Sequence, residues 1–252
     1  MFPVPIGLMS EVADVGDFSS SLLIHTNQTS GSAVDSSSYG HIITQPAGVN
    51  FAAQAGPFSG DTGSLLFDGD STDYISMPDS AAWPKGLGDW SYDWWQRVNN
   101  TSTGHGIFQQ FLNTSERTGV TINDAHKFNF FTTSAQAGSN ISLFSDSPQQ
   151  LNTWQHLQIA RQAGTFYMFA GGVLIGTHGA QTSDPLPDIA GEMRIGKYTF
   201  GGGSHNMSGY MAEMRLLIGS AAFDNSDDSL YCTEGVAANG YANGVPTQAY
   251  AA

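Results

Sequence analysis

The sequence has almost no cysteine and few basic residues. Its 252 residues include a single cysteine, Cys232, so no disulfide can form within the chain. This excludes the small secreted domains that depend on several disulfides for their stability. Eight lysines and arginines stand against 22 aspartates and glutamates, which gives a formal net charge of −14. Because such a chain repels nucleic acid phosphates, we expect no direct binding to DNA or RNA.

Long apolar runs are also missing. No segment approaches the roughly 18 consecutive apolar residues of a membrane-spanning helix, so we expect no membrane insertion. Residues 1–19 lack the basic start and the sustained apolar stretch of a secretion signal, which predicts that the chain is made and kept in the cytoplasm. The seven histidines are scattered and show none of the paired spacings that are typical of zinc sites.

Short apolar runs separated by turn residues fill most of the chain. The turns are rich in the 30 glycines, as in GDTG, DGDSTD and FGGGS. Many short strands at even spacing with Gly, Asp and Asn turns are typical of a β-sandwich or β-barrel. No window of a dozen residues shows a helical period, and 40% hydrophobic residues suffice for a core.

Two regions carry the aromatic and polar side chains that a sugar ligand would need. Strand alternation over 90–97 predicts that Trp90, Tyr92 and Trp94 face the core. The same alternation places Asp93, Trp95 and Arg97 on the other face, where Trp95 either contacts a ligand or is partly covered by a loop. The glycine-rich segment 201–203 is predicted to be a hairpin tip. The candidate ligand-binding residues are Asp93, Trp95, Arg97, Tyr198 and His205.

Three aspartates close together form the candidate metal site. Asp68, Asp70 and Asp73 offer carboxylate oxygens within six residues, and such oxygens are the ligands that Ca²⁺ prefers. The glycine and the final glutamate of an EF-hand are absent from this segment. The alternative is a polar turn between two strands, since Asp-Gly is a favourable turn pair. We expect no required cofactor, with Ca²⁺ as the candidate ion.

Enzyme motifs are missing. Retaining glycoside hydrolases of sandwich folds carry alternating carboxylates on one strand, whereas Glu192 and Glu213 each stand alone. No GxSxG nucleophile motif is present, and Gly201-Gly-Gly203 lacks the lysine of a phosphate-binding loop. We therefore expect that the chain is not an enzyme.

Seven motifs, in order along the chain, resemble the concanavalin A-like, laminin-G-like jelly roll in the form common in phage and bacterial proteins. The resemblance implies an all-β fold, a two-sheet antiparallel β-sandwich, over residues 20–224. It leaves an N-terminal arm at 1–19 and a C-terminal arm at 225–252. The motifs, within residues 21–223, are 35–41, 63–80, 88–95, 151–156, 171–176, 194–196 and 209–215.

The same resemblance implies a non-enzymatic bacteriophage structural protein with a lectin-like fold. We expect a capsid decoration or tail-associated subunit, located in the virion and assembled in the host cytoplasm. Its expected partners are other virion proteins, itself as a homo-oligomer, and cell-surface glycan. Two alternatives stay open: a carbohydrate-binding adhesin module and, with less support, a glycoside hydrolase.

Overall fold

The computed structural model describes residues 20–58, 60–99, 104–135, 140–146, 148–178 and 185–218, together with 241–242 and 245–246. These residues form strands and turns without a helix, which confirms the predicted all-β fold. Accordingly, no helix in the described part of the chain is long and apolar enough to cross a membrane.

The two predicted arms are largely outside the described residues. The N-terminal arm at 1–19 lies wholly outside them. Of the C-terminal arm at 225–252, only two short paired strands are described, β17 (Tyr241–Ala242) and β18 (Val245–Pro246). The proposed domain boundaries therefore stay predictions.

An eight-stranded antiparallel sheet forms one layer of the sandwich. Seven of its strands follow one another across the sheet, and the eighth, β1 (Ser20–Ile24), pairs with β16. The spatial order is β12 (Val173–His178), β11 (Thr165–Ala170), β10 (Gln155–Gln162), β5 (Trp90–Val98), β16 (Ser208–Ile218), β3 (Ser64–Asp68) and β2 (Asn50–Ala52).

A six-stranded antiparallel sheet forms the other layer, and a separate hairpin lies against it. The hairpin consists of β14 (Lys197–Phe200) and β15 (Gly203–Asn206), and it contacts β6 and β7. The spatial order of the sheet is β4 (Ile75–Met77), β13 (Glu192–Ile195), β6 (His105–Asn113), β7 (Glu116–Ile122), β8 (Phe128–Thr133) and β9 (Ser142–Phe144).

Aromatic rings from both sheets fill the core between them. Trp90, Tyr92 and Trp94 are all buried there, which confirms the alternation predicted for β5. The Tyr92 ring lies 4.3 Å from Phe108 of the six-stranded sheet, and Trp90 lies 5.7 Å from Phe130. Edge-on and tilted pairs of this kind are favoured by the charge distribution of aromatic rings. The contacts show that the two sheets pack face to face.

The hairpin turns predicted from the sequence are present. Between β10 and β11, Ala163 and Gly164 have φ angles of 48° and 85°. Between β11 and β12, Gly171 and Gly172 have φ angles of 57° and 78°. Two central residues with positive φ match the right-handed twist of the flanking strands, which is why such turns close two-residue hairpins.

A β-bulge in β16 determines which of its side chains face β5. The register shifts by one residue between Ala212, opposite Trp95, and Arg215, opposite Asp93. Glu213 within the bulge has a positive φ of 45°. Bulges redirect side chains in this way. Without the extra residue, Met214 would lie opposite Asp93, so the bulge brings a cation to a buried carboxylate.

Candidate functional site

The first group of predicted ligand residues lies on β5, on the face that points away from the six-stranded sheet. Asp93 follows the core residue Tyr92, so its side chain faces outward, yet it is only 1% exposed. Arg215 donates to Asp93 Oδ2 from Nη2 at 3.1 Å and from Nε at 3.3 Å. Asp93 is therefore held in a buried ion pair on the outer face of the eight-stranded sheet.

His156 completes this buried cluster. Its Nε2 lies 3.9 Å from Asp93 Oδ1, and its side chain is 4% exposed. Burial is the main cause that lowers the pKa of His156, and the positive charge of Arg215 adds to it, while Asp93 opposes the change. The cluster at neutral pH thus carries one carboxylate, one guanidinium and a neutral imidazole. Such an arrangement serves packing and register more readily than ligand capture.

Trp95 and Arg97, the other candidates on β5, are half-buried. The Trp95 ring contacts Phe58 edge-on at 5.4 Å and the His156 ring at 5.4 Å. Phe58 belongs to the loop that follows β2, so a loop covers part of Trp95. The Arg97 guanidinium lies 5.9 Å from the centre of the Tyr210 ring on the neighbouring strand.

The second group of predicted ligand residues lies on the β14–β15 hairpin. Tyr198 and His205 are direct cross-strand partners, and Phe200 is on the same face as Tyr198 because it is two residues further along the strand. All three side chains are half-buried. The ring planes are tilted by 11° between Tyr198 and His205 and by 26° in the other two pairs. We call Tyr198, Phe200 and His205 the aromatic platform.

Backbone contact fixes the hairpin on the six-stranded sheet. A Cβ atom at Gly106 of β6 would lie 2.0 Å from the Tyr198 nitrogen, so only glycine allows the two strands to cross this closely. Gln109 adds two hydrogen bonds to Thr199: its Nε2 donates to the Thr199 oxygen at 3.0 Å, and its Oε1 accepts from the Thr199 nitrogen at 2.9 Å. The aromatic platform is thus held by a rigid sheet.

Three cations lie beside the β14–β15 hairpin, and one of them, Arg117, contacts the aromatic platform. Arg117 lies 5.4 Å from the Tyr198 ring centre and 5.7 Å from that of Phe131, and it donates to the Thr199 oxygen at 2.9 Å. Arg194 lies 4.4 Å from the ring centre of Phe111, and Lys197 Nζ lies 4.5 Å from the Tyr74 ring centre. We call Arg117, Arg194 and Lys197 the basic belt.

The predicted ligand residues therefore fall into two groups on opposite faces of the sandwich. Asp93 alternates with the core residue Tyr92, and Phe131, which touches Tyr198 at 4.9 Å, alternates with the core residue Phe130. Each group thus points away from the other sheet. Sequence reasoning missed Arg117, Phe131, Phe200 and the belt residues Arg194 and Lys197. Alternation along 116–122 and 128–133 was the available signal for the first two.

The acidic turn between β3 and β4 contains the predicted metal ligands. Asp68 Oδ1 accepts from the Asp70 nitrogen at 2.9 Å, and the Asp73 nitrogen donates to the Asp70 oxygen at 3.0 Å. Burial, and then contact with Asp68, raises the pKa of Asp73 to about 6, while the hydrogen bond from Asp73 lowers the pKa of Asp68. Within the described ranges, no three Asp, Glu, His or Cys side chains are grouped so that they could hold a metal ion.

The two glutamates considered for hydrolysis lie in different sheets, and each has a partner. Glu192 on β13 accepts from Arg194 Nε at 2.6 Å. Glu213 on β16 is 2% exposed, contacts His25 Nδ1 at 2.8 Å and accepts from the Thr26 nitrogen at 3.0 Å. The structure does not bring these carboxylates together across a cleft.

A protein-family model matches residues 68–219, more than half of the chain. It describes the concanavalin A-like lectin/glucanases superfamily. Among curated proteins, none matches the sequence.

Several solved structures share the fold at low sequence identity. Domain 4 of an extracellular arabinanase from Geobacillus stearothermophilus, in complex with arabinotriose, is 13% identical, with a TM-score of 0.59 over 81% of this chain and 94% of that domain. The binding domain of botulinum neurotoxin serotype G is 14% identical, with a TM-score of 0.59 over 78% of this chain and 47% of that chain.

A third similar structure belongs to botulinum neurotoxin type C, whose cell entry depends on interaction with two ganglioside molecules. It is 14% identical, with a TM-score of 0.59 over 87% of this chain and 55% of that chain. The chain thus spans about half the length of the toxin domains that it matches. At these identities the likeness shows a common lectin-like fold.

Proposed function

The chain belongs to the concanavalin A-like lectin/glucanases superfamily, and from this premise we propose that it is a non-enzymatic glycan-binding domain whose ligand lies on the aromatic platform. The observation that carries the proposal is the platform itself. Three half-buried rings share one face of a hairpin that is fixed to a rigid sheet. Sites on rigid elements position a ligand better than sites on loops do.

The chemistry of the platform suits a sugar. Aromatic rings offer apolar area to the C–H faces of a pyranose at little conformational cost, because each has only two side-chain torsions. Beside the Tyr198 ring, Arg117 supplies donors for hydroxyl groups. The arabinanase domain in complex with arabinotriose and the ganglioside-dependent toxin support the proposal by analogy of fold.

A glycan array with paired variants tests this function. We expect that Tyr198→Ala, which truncates the centre of the platform, lowers binding at least tenfold without a loss of fold. Trp95→Ala, on the opposite face, is the matched control and should keep full binding. Retained binding by Tyr198→Ala together with lost binding by Trp95→Ala would move the ligand to the eight-stranded sheet and contradict the proposal.

Absence of catalysis is part of the proposal. Each candidate glutamate has a hydrogen-bonded partner in its own region, and the two lie on different sheets. Retaining hydrolysis needs two carboxyl groups about 5–5.5 Å apart, and inversion needs about 6.5–9.5 Å. Incubation of the purified chain with its best array ligand should leave the ligand intact. Reducing ends that accumulate with wild type and not with Glu192→Gln would contradict this part.

We further propose that the domain acts as part of a bacteriophage virion, as a capsid decoration or tail-associated subunit that self-associates. Three exposed apolar side chains within residues 34–42 support a protein partner: Val34, Tyr39 and Ile42 are 64%, 52% and 79% exposed. Asp35 orders their loop, because its carboxylate accepts from the Leu23, Ser37 and His41 nitrogens. Ordered apolar groups in water are typical of interaction sites.

Co-sedimentation with assembled particles tests the virion role. The full chain should sediment with particles, and Ile42→Ser should weaken this at least several-fold while the glycan array profile stays unchanged. A version without 1–19 and 225–252 shows whether the arms contribute. A chain that stays monomeric and does not sediment with particles, yet binds glycans on the array, would contradict the virion role and support the adhesin alternative.

A further inference from the structure

A cleft is lined by Lys197, the first residue of β14, whose side chain lies on the face of the strand opposite to the aromatic platform. It has a volume of about 210 Å³. This is smaller than the roughly 300–1,000 Å³ of pockets for drug-sized ligands, and it suits a single sugar unit. Its lining combines four Ser and Thr hydroxyl groups and one ammonium group with the Tyr74 ring and Pro46, and most of the exposed surface is apolar. The residues that matter are Thr44, Ser71, Thr72, Tyr74, Ser76 and Lys197.

The walls of the cleft are tied together by main-chain hydrogen bonds. Thr44 and Ser76 exchange two of them, at 2.8 and 3.0 Å, which joins the loop after β1 to the edge strand β4. Lys197 Nζ donates to the Ser71 oxygen at 2.6 Å, which joins β14 to the acidic turn. The cleft is therefore formed by ordered segments of the chain.

Lys197 places in this cleft a positive charge that is not in direct contact with a carboxylate of the described residues. Within the described residues it forms no ion pair, in contrast to Arg194, which is paired with Glu192. Burial, and then the nearby Arg194, lower the pKa of Lys197, while the negative charge of Glu192 opposes this change. A partly desolvated ammonium group gains from a carboxylate partner, because attraction is stronger away from bulk water.

Arg117 offers a second such charge beside the Tyr198 ring. Its Nε is buried and has no hydrogen-bond partner among the described residues. Three of the eight basic residues of this acidic chain thus lie together in the basic belt, and within the described residues only Arg194 among them forms an ion pair. Positive groups gathered on a chain with a net charge of −14 point to a ligand of negative charge.

We propose that the cleft at Lys197 binds a carboxylate-bearing sugar unit, so that the ligands of this domain are acidic glycans. The inference rests on the proposed function, since neighbouring units of the same glycan would extend past β14 to the aromatic platform. The apolar surface and the hydroxyl groups of the cleft match the C–H and O–H groups of a sugar ring, and Lys197 matches its carboxylate. The carboxyl of Asp73, close in sequence, lies against Gly48 and does not line the cleft.

Titration calorimetry with two matched trisaccharides tests the proposal. One probe is a galacturonic acid trimer, and the other is the same trimer with its carboxylates reduced to hydroxymethyl groups. We expect the acidic trimer to bind at least tenfold more tightly, with an advantage that shrinks as salt is added. Equal affinity for both trimers would overturn the inference and leave the proposed function standing. If neither trimer binds and no glycan on the array binds, both the inference and the proposed function would be contradicted.

Substitutions test whether Lys197 causes the preference for the acidic trimer. Lys197→Gln should bring the acidic trimer to the affinity of the neutral one, and Tyr198→Ala should weaken both trimers alike. Lys85→Gln is the control, because Lys85 is an exposed cation paired with Asp188 outside the cleft. Unfolding transitions of all variants should match wild type. A Lys197→Gln protein that keeps the preference would overturn the proposal.

Inorganic phosphate distinguishes a sugar site from a general anion site. At matched ionic strength, phosphate should leave the affinity for the acidic trimer unchanged, because it gains nothing from the apolar surface of the cleft or from the platform. Competition by phosphate at concentrations comparable to those of the trimer would contradict the assignment to a sugar carboxylate.

Discussion

The outer faces of the two sheets both carry aromatic, histidine and basic side chains, but these side chains differ in burial and in ion pairing. On the eight-stranded sheet, Asp93, His156 and Arg215 are 1%, 4% and 8% exposed, and the two charges are paired. On the six-stranded sheet, Tyr198 and its neighbours in the aromatic platform are half-buried, and Lys197 has no carboxylate partner among the described residues. The polar side chains of the first face bond to one another and stabilise the fold, whereas those of the second face remain accessible to a ligand.

The largest expected effect is on the first face. Asp93→Asn removes the partner of a buried guanidinium, which costs about 3–5 kcal/mol in the free energy of unfolding. Urea denaturation measures it. The control is Asp188→Asn, at an exposed pair with Lys85 that contributes about 0–1 kcal/mol. A folded Asp93→Asn protein that loses glycan binding would break the division between the two faces.

The next effect concerns the attachment of the hairpin. Gly106→Ala forces a methyl group against the Tyr198 backbone, so we expect about 1–3 kcal/mol of destabilisation and a weaker glycan affinity. Gly201→Ala is the control, because a Cβ atom at that hairpin tip meets nothing within 4 Å. Thermal unfolding and calorimetry measure both quantities. Equal behaviour of the two variants would contradict the close crossing of β14 over β6.

A smaller effect depends on pH and belongs to the eight-stranded side. The hydrogen bond to Glu213 raises the pKa of His25 above its ordinary 6.5, although burial opposes the change. The folded state therefore binds the proton more tightly. This stabilisation is fully present below about pH 6.5 and is lost as pH rises through the folded-state pKa. We expect His25→Gln to destabilise more at about pH 5.5 than at about pH 8.5. An equal loss of stability at both pH values would contradict the role of the His25 proton.

The smallest expected effect concerns the acidic turn. Backbone hydrogen bonds already order Asp68, Asp70 and Asp73, and we propose that the chain folds without a metal. Chelation with EDTA should leave the melting temperature unchanged. An ion that binds only the native state would raise it. A rise with millimolar Ca²⁺ that is absent for Asp73→Asn, and for Mg²⁺, would establish a calcium site instead.

Local patterns were sufficient to predict the strands and turns. The period-two alternation of 90–97 predicted the core face of β5, and the pairs Ala163-Gly164 and Gly171-Gly172 predicted the two hairpins. The alternation and the turn residues both depend on neighbours in the sequence, so they can be recognised in a single sequence. The seven motifs in order predicted the family in the same way.

Contacts between residues that are far apart in the sequence could not be predicted from local patterns. Asp93 and Arg215 are 122 residues apart, and only the bulge in β16 brings them together. Sequence reasoning therefore treated Asp93 as a ligand residue beside Trp95. Likewise, Tyr198 and His205 were predicted together, while Arg117, 81 positions before Tyr198, reaches them only because the hairpin crosses β6 at Gly106.

Hydrogen exchange with and without the strongest array ligand tests the central claim most directly. We predict that the ligand slows amide exchange at 197–206 and around Arg117, and leaves 91–98 and 155–161 unchanged. Slowed exchange confined to 91–98 and 155–161 would place the ligand on the eight-stranded sheet and contradict the account.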